Sequence, residues 1–153
     1  MNEPLPLPHF RQSAPGYCLP ACVRMVLAYL GLERSEAEVS RMLGAREFGT
    51  SSFAVRRLTL EGLQVTYGEW SVSRLVAVLD AGRPVILFVR TASLDYWQRD
   101  VAHAVVAVGF EEGAQFWLHD PVLPDGPRIV SWNGLLAAWA EFGYRAAAIS
   151  RGT

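Results

Sequence analysis

The sequence has no apolar run approaching the roughly 20 residues of a membrane span, because Arg or Gly interrupts its longest candidates within a few positions. Membrane insertion is therefore not expected. The opening residues "MNEPLPLPHFRQ" have an early Glu, three prolines and no continuous apolar stretch, so they lack the form of a secretory signal, and the cytoplasm is the expected location. Cysteine is scarce: Cys18 and Cys22 are the only two, and so close in sequence they make a poor loop-closing disulfide, which favours reduced thiols. Neither sign of charge is in excess. Asp and Glu number 15 against 14 Lys and Arg, so no electrostatic reason exists to expect a nucleic acid or other polyphosphate partner. The two cysteines and three histidines form no CxxC or HxxxH pair, and no zinc signature is present; GxSxG, P-loop and GxGxxG motifs are also missing. No metal and no cofactor is implied.

What is present is a chain of 153 residues with 51% hydrophobic and 19% charged residues, the balance of a compact globular protein. That length suits one domain, and with no repeat, low-complexity tract or linker, residues 1–153 are expected to form a single unit. Helical spacing of Met25, Val26, Tyr29 and Leu30 predicts a helix that starts at about Leu19, carries Pro20 in its first turn and ends before Gly31. Ser35 and Glu38 form a capping box for a second helix to about Leu43. A loop, "GAREFGT", follows. Ser51 or Ser52 is expected to cap a further helix to Gly62, followed by the strand "LQVTY" and a helix opened by Ser71. From Pro84 onward the pattern turns to strands, "PVILFVR", "HAVVAVGF", "QFWLHD" and "RIVSW", then a helix from Asn133 and a last strand "YRAAAIS". Helices in the first half and antiparallel strands in the second predict an α+β fold.

Cys18 is the sharpest chemical feature. A thiol at a helix N-terminus meets unpaired N–H groups and the positive end of the macrodipole, both of which favour thiolate; the ordinary alternative is a buried structural cysteine. Cys22, one turn further in, reads as core. A nucleophilic cysteine needs a base, and His103 is best placed: it begins the apolar run "HAVVAVGF", so a strand would hold it while its ring projects at the strand end. The turn "EEGA" would fold the next strand back and bring Asp120 close to His103, where a carboxylate can fix the imidazole tautomer; alternatively Asp120 simply starts an Asp-Pro turn. His119, its neighbour, would then face out. Gln12, ahead of the Pro15-Gly16 turn, is either an oxyanion donor together with the Cys18 N–H or an ordinary surface amide. Trp132 and Trp139 are expected to be packed, and Tyr96 and Trp97 either form a cleft wall or sit in the core.

The order of Gln12, Cys18, "PACVRMVLAYLG", His103 leading into "VVAVGF", and Asp120-Pro121 resembles the papain-like cysteine peptidases of the bacteriocin-processing, double-glycine-leader type. "LDAGRPVILFV" and "LLAAWAEFGYRAAAI" extend the resemblance over nearly the whole chain. It implies a papain-like fold in which Cys18 is the nucleophile, His103 the general base and acid, Asp120 the orienter and Gln12 the oxyanion donor. It also implies a peptide or protein substrate cleaved after small residues such as a Gly-Gly pair. Leu19 stands where the family usually has glycine, and its bulk is expected to reshape the cleft beside the nucleophile. Two other functions fit the same residues: a peptide-binding module with an inert cysteine, and an acyltransferase in which an amine replaces water.

Overall fold

The computed structural model describes residues 1, 3–46 and 49–152. The expected loop "GAREFGT" includes Glu47 and Phe48, which lie outside the described residues. Four α-helices, α1 (Cys18–Tyr29), α2 (Glu36–Leu43), α3 (Val72–Asp80) and α4 (Trp132–Ala140), accompany six strands among the described residues. The strands are β1 (Leu63–Glu69), β2 (Val85–Arg90), β3 (Ala102–Glu111), β4 (Gln115–His119), β5 (Arg128–Ser131) and β6 (Arg145–Arg151). They form one antiparallel sheet in the order β1-β6-β2-β3-β4-β5, so the arrangement is α+β.

Alternation along the central strand β3 explains how the layers assemble. Ala104, Val106 and Val108 belong to a core shared with Leu19, Cys22, Val23 and Val26 of α1. Val105 and Ala107 point the other way, into a core with Leu75 and Leu79 of α3 and Leu135 and Trp139 of α4. A strand covered on both faces must read as a continuous apolar run, and β3 is buried from His103 to Phe110. Each fully buried Val or Leu contributes about 1.5–3 kcal/mol relative to exposure, so the helices are held to the sheet chiefly by these two apolar layers.

Local chemistry sets the element ends. The Ser35 capping box forms as the sequence implied: Ser35 Oγ accepts from the Glu38 N–H at 3.1 Å and the Glu38 carboxylate accepts from the Ser35 N–H at 3.1 Å. Gly44 then ends α2 in the left-handed region at φ 65°, which a residue with a Cβ rarely adopts.

One helix type and two helix starts differ from the sequence reading. Residues Ser52–Glu61 form a 3-10 helix, not an α-helix, and its two buried side chains, Val55 and Leu58, are three residues apart, one turn of that tighter geometry. Helix α4 is capped not by Asn133 but by Ser131, whose Oγ accepts from the Gly134 N–H at 3.0 Å. Helix α1 begins at Cys18 itself, with Tyr17 at the N-cap making no side-chain cap.

A β-bulge between Ala107 and Gly109 shifts the β3–β4 register. It leaves the carbonyl of Val108 to accept from the Leu5 N–H at 2.8 Å, and the N-terminal segment continues until the Gln12 N–H donates to the Pro121 carbonyl at 2.7 Å. Residues 5–12 thus lie as a strap from the middle of the sheet to the segment after Asp120. No helix among the described residues is long and apolar enough to cross a membrane.

Candidate active site

Helix α1 and strand β3 meet at one end of the sheet, where the first residue of the helix lies against the start of the strand. The Cys18 side chain lies beside the His103 imidazole and the backbone N–H groups of Leu19 and Ala104, each of which favours its thiolate. His103 is 7% exposed and is fixed on β3 by pairing with Val89 of β2. Its Nε2–H donates to Asp120 Oδ1 at 2.6 Å, which leaves Nδ1 as the nitrogen toward Cys18. The β3–β4 hairpin accounts for this placement: Val106 pairs with His119, so Asp120 follows the last paired residue beside the start of β3.

Asp120 is fully buried, and four donors surround its carboxylate. Oδ1 accepts from His103 and from the Val122 N–H at 3.0 Å; Oδ2 accepts from the Tyr96 O–H at 2.6 Å and from the Trp97 ring N–H at 2.9 Å. The Trp97 ring also lies against the His103 ring, with centroids 4.8 Å apart. These two aromatics do more than line a wall: they are bonded to the carboxylate itself. The polar setting of "ASLDYWQRD" hinted at a cleft, but nothing in its spacing named Asp120 as the target.

The electrostatics follow from these contacts. Burial alone would push the Cys18 thiol up, but the His103 hydrogen bond and charge, with the Ala104 and Leu19 N–H groups, outweigh it and leave the thiol below its ordinary value. Burial would pull the His103 imidazolium down, yet its bonds to Asp120 and Cys18 raise it to about 9. Asp120 behaves in the same way: burial pushes the carboxyl up, and His103, Tyr96 and Trp97 hold it below the ordinary range. The direction of all three shifts favours a thiolate beside an imidazolium backed by a carboxylate.

Cys22 is completely buried, its Sγ–H donates to the Ala104 carbonyl at 3.4 Å, and burial pushes its thiol well up. It is a core thiol. Leu19 is 2% exposed and packs into the core under α1, so its bulk points away from the cleft and does not reshape it.

Gln12 is placed by its backbone bond to Pro121, next to Asp120 in sequence. Its Nε2 donates one proton to the Ala14 carbonyl at 2.9 Å and keeps a second, while buried Oε1 has no partner among the described residues. The adjoining turn is pinned by Glu36 at the start of α2, which accepts from the Ser13 N–H at 3.0 Å and from its hydroxyl at 2.5 Å.

His119 does turn away from Asp120, but not into solvent. It is 1% exposed, and its Nδ1 lies 2.8 Å from Nδ1 of His9, whose Nε2–H donates to the Leu123 carbonyl. The strap carrying His9 supplies the cover that alternation alone could not anticipate.

Residues 4–147 match the Peptidase_C39 like family. No curated protein is significantly similar in sequence. Among solved structures, a protein described as a C39-like peptidase from Bacillus anthracis superposes with a TM-score of 0.79 at 14% identity, covering 99% of this chain and 100% of that one. The peptidase domain of Streptococcus ComA, a bi-functional ABC transporter of a quorum-sensing pathway, gives 0.77 at 18% identity over 95% and 99% of the two chains. A double glycine motif protease from an AMS/PCAT transporter, solved in complex with the leader peptide, gives 0.74 at 17% identity over 99% and 96%. At these identities the likeness establishes the fold, the papain-like α+β arrangement of C39 peptidase domains.

Proposed function

Because the chain belongs to the Peptidase_C39 like family, we propose that it is a cysteine peptidase whose nucleophile is Cys18. The observation that carries this reading is that the Cys18 side chain lies beside a His103 ring whose Nε2 is held by Asp120 at 2.6 Å. In the proposed cycle the Cys18 thiolate attacks a peptide carbonyl, a C–S bond forms, and the carbonyl π pair moves onto oxygen. The free N–H of the Gln12 amide and the Cys18 backbone N–H hold that oxyanion. Collapse breaks the C–N bond as the imidazolium of His103 gives its proton to the leaving amine. Neutral His103 then takes a proton from water, hydroxide attacks the thioester, and the thiolate leaves as the acid product forms. Asp120 stabilises the imidazolium and keeps the ring oriented throughout.

The solved leader-peptide complex of a double glycine motif protease supports a peptide substrate with small residues at the scissile bond, such as Gly-Gly. The test is cleavage of a double-glycine leader peptide, followed by mass spectrometry. The protein is expected to cut after the second glycine, and Cys18→Ala and His103→Ala are expected to abolish cutting while remaining folded. Retained cutting in Cys18→Ala would overturn the assignment. Binding without cleavage, with Cys18 alkylated by iodoacetamide no faster than a free thiol, would make the chain an inert peptide-binding module; amine adducts in place of acid product would make it an acyltransferase.

A further inference from the structure

Two donors on the far side of Asp120 are more than an orienter of His103 requires. Oδ1 already accepts from His103 and Val122; Oδ2 accepts in addition from Tyr96 and Trp97, both from the segment joining β2 to β3. That segment is itself tied down. The Thr91 N–H donates to the Val101 carbonyl at 3.0 Å, its hydroxyl to the Arg99 carbonyl at 2.5 Å, and the Val101 N–H returns to the Thr91 hydroxyl at 3.0 Å. Arg90 pairs with Asp100 at 3.2 Å, Leu94 is buried, and the Arg128 guanidinium of β5 lies 4.4 Å from the Tyr96 ring centre. Tyr96 and Trp97 are thus presented by a closed loop, not by a free tip.

The chemistry of the donors is informative. Both are neutral, so they occupy Oδ2 without cancelling the negative charge that His103 needs. An Arg or Lys in the same place would pair with the carboxylate and weaken its pull on the imidazolium. An indole N–H can only donate, and the Tyr96 phenol, pushed well up by burial and by Asp120, stays a donor over the working range. With one oxygen filled by two donors from a fixed loop, the carboxylate plane cannot rotate to exchange its oxygens. The Trp97 ring, 4.8 Å from the imidazole, covers His103 on the same side.

We propose that Tyr96 and Trp97 are positioning residues for the Cys18–His103 pair: they lock the Asp120 carboxylate through Oδ2 so that Oδ1 is directed at His103 Nε2, while the Trp97 ring shields that bond from water. Only the consequence for turnover rests on the peptidase reading above.

The experiment uses Tyr96→Phe, Trp97→Phe and the double variant, which keep aromatic volume and remove the donors. The Asp120 carboxyl is followed by ¹³C NMR, and Cys18 alkylation by iodoacetamide is measured against pH. In the double variant the carboxyl midpoint is expected to rise by about one pH unit, and the onset of fast alkylation to move to higher pH. With a peptide substrate, kcat falls about tenfold with KM within about twofold. An unchanged carboxyl midpoint with an unchanged alkylation profile in the folded double variant overturns the proposal. So does loss of kcat with the midpoint unmoved, which would make the pair structural supports, and so does a raised midpoint with wild-type alkylation. If the wild-type protein cleaves no peptide, the peptidase reading fails, yet the midpoint and alkylation profile still decide this proposal. Should the double variant fail to fold, Tyr96→Phe, which deletes one oxygen, supplies the same two readouts.

Discussion

Cys22 and Ala104 tie helix α1 to strand β3 through a single residue of the strand: the Cys22 thiol donates to the Ala104 carbonyl at 3.4 Å, and the N–H of the same Ala104 lies beside the Cys18 sulfur. One thiol is therefore a core group and the other the proposed nucleophile, although they are one helical turn apart. Brief treatment of the folded protein with iodoacetamide at pH 7 is expected to label Cys18 alone, and Cys22 only after unfolding, as peptide mass spectrometry will show. Cys22→Ala leaves a small void and an unpaired carbonyl, and should cost about 1–2 kcal/mol in urea unfolding.

Activity should follow a bell-shaped pH profile. The acid limb reports protonation of the Cys18 thiolate and lies below the ordinary thiol range; the basic limb reports loss of the His103 proton and lies at about 9. The same shifts act on stability. The raised His103 contributes in full below its unfolded value of about 6.5, and that contribution is lost as pH rises through about 9. Asp120→Asn removes the charge holding the imidazolium. It is expected to move the basic limb down by about one unit or more and to lower kcat/KM at least about a hundredfold.

The His9–His119 pair makes the strap acid-sensitive. Burial, with His9 alongside, pulls His119 down to about 4, so the unfolded chain binds a proton that the folded one refuses. Stability present above about pH 6.5 is expected to fall as pH drops from there toward 4, and His119→Gln should flatten that slope in urea titrations. Gly126 packs directly on the pair: a Cβ there would lie 2.7 Å from His119 Nδ1 and 2.8 Å from His9 Nδ1. Gly126→Ala should therefore cost about 1–3 kcal/mol at neutral pH.

Gln12→Ala tests the oxyanion assignment separately from the thiol. It should lower kcat about 10²–10³-fold while leaving the Cys18 alkylation rate within about twofold of wild type, because the amide acts only once charge develops on the substrate oxygen. Equal loss in both measurements would mean that Gln12 supports the loop and not the oxyanion.

Much of this was readable in the chain because it is written locally. The Ser35–Glu38 box, the Gly44 stop, the apolar run after His103 and the "EEGA" turn each place an element end within a few residues, and Cys18, His103 and Asp120 all lie at such ends. What escaped depends on contacts that sequence spacing does not encode. The Tyr96 and Trp97 bonds to Asp120 join a loop to a strand end, and the partner of His119 lies 110 residues away. The 3-10 form of Ser52–Glu61 is hidden because residues three apart, such as Val55 and Leu58, share a face in either helix type. The direction of Leu19 is set by the core beneath the helix, which its place beside Cys18 in the sequence does not reveal.

Strand β6 follows every other strand in the chain yet lies between β1 and β2, so the sheet cannot close until the last of its strands is available. Until β3 has emerged and docked on α1, Cys18 has no imidazole or Ala104 amide to charge it and remains an ordinary, sluggish sulfhydryl. In the proposed reading the reactivity of Cys18 would switch on only once that strand and helix have met.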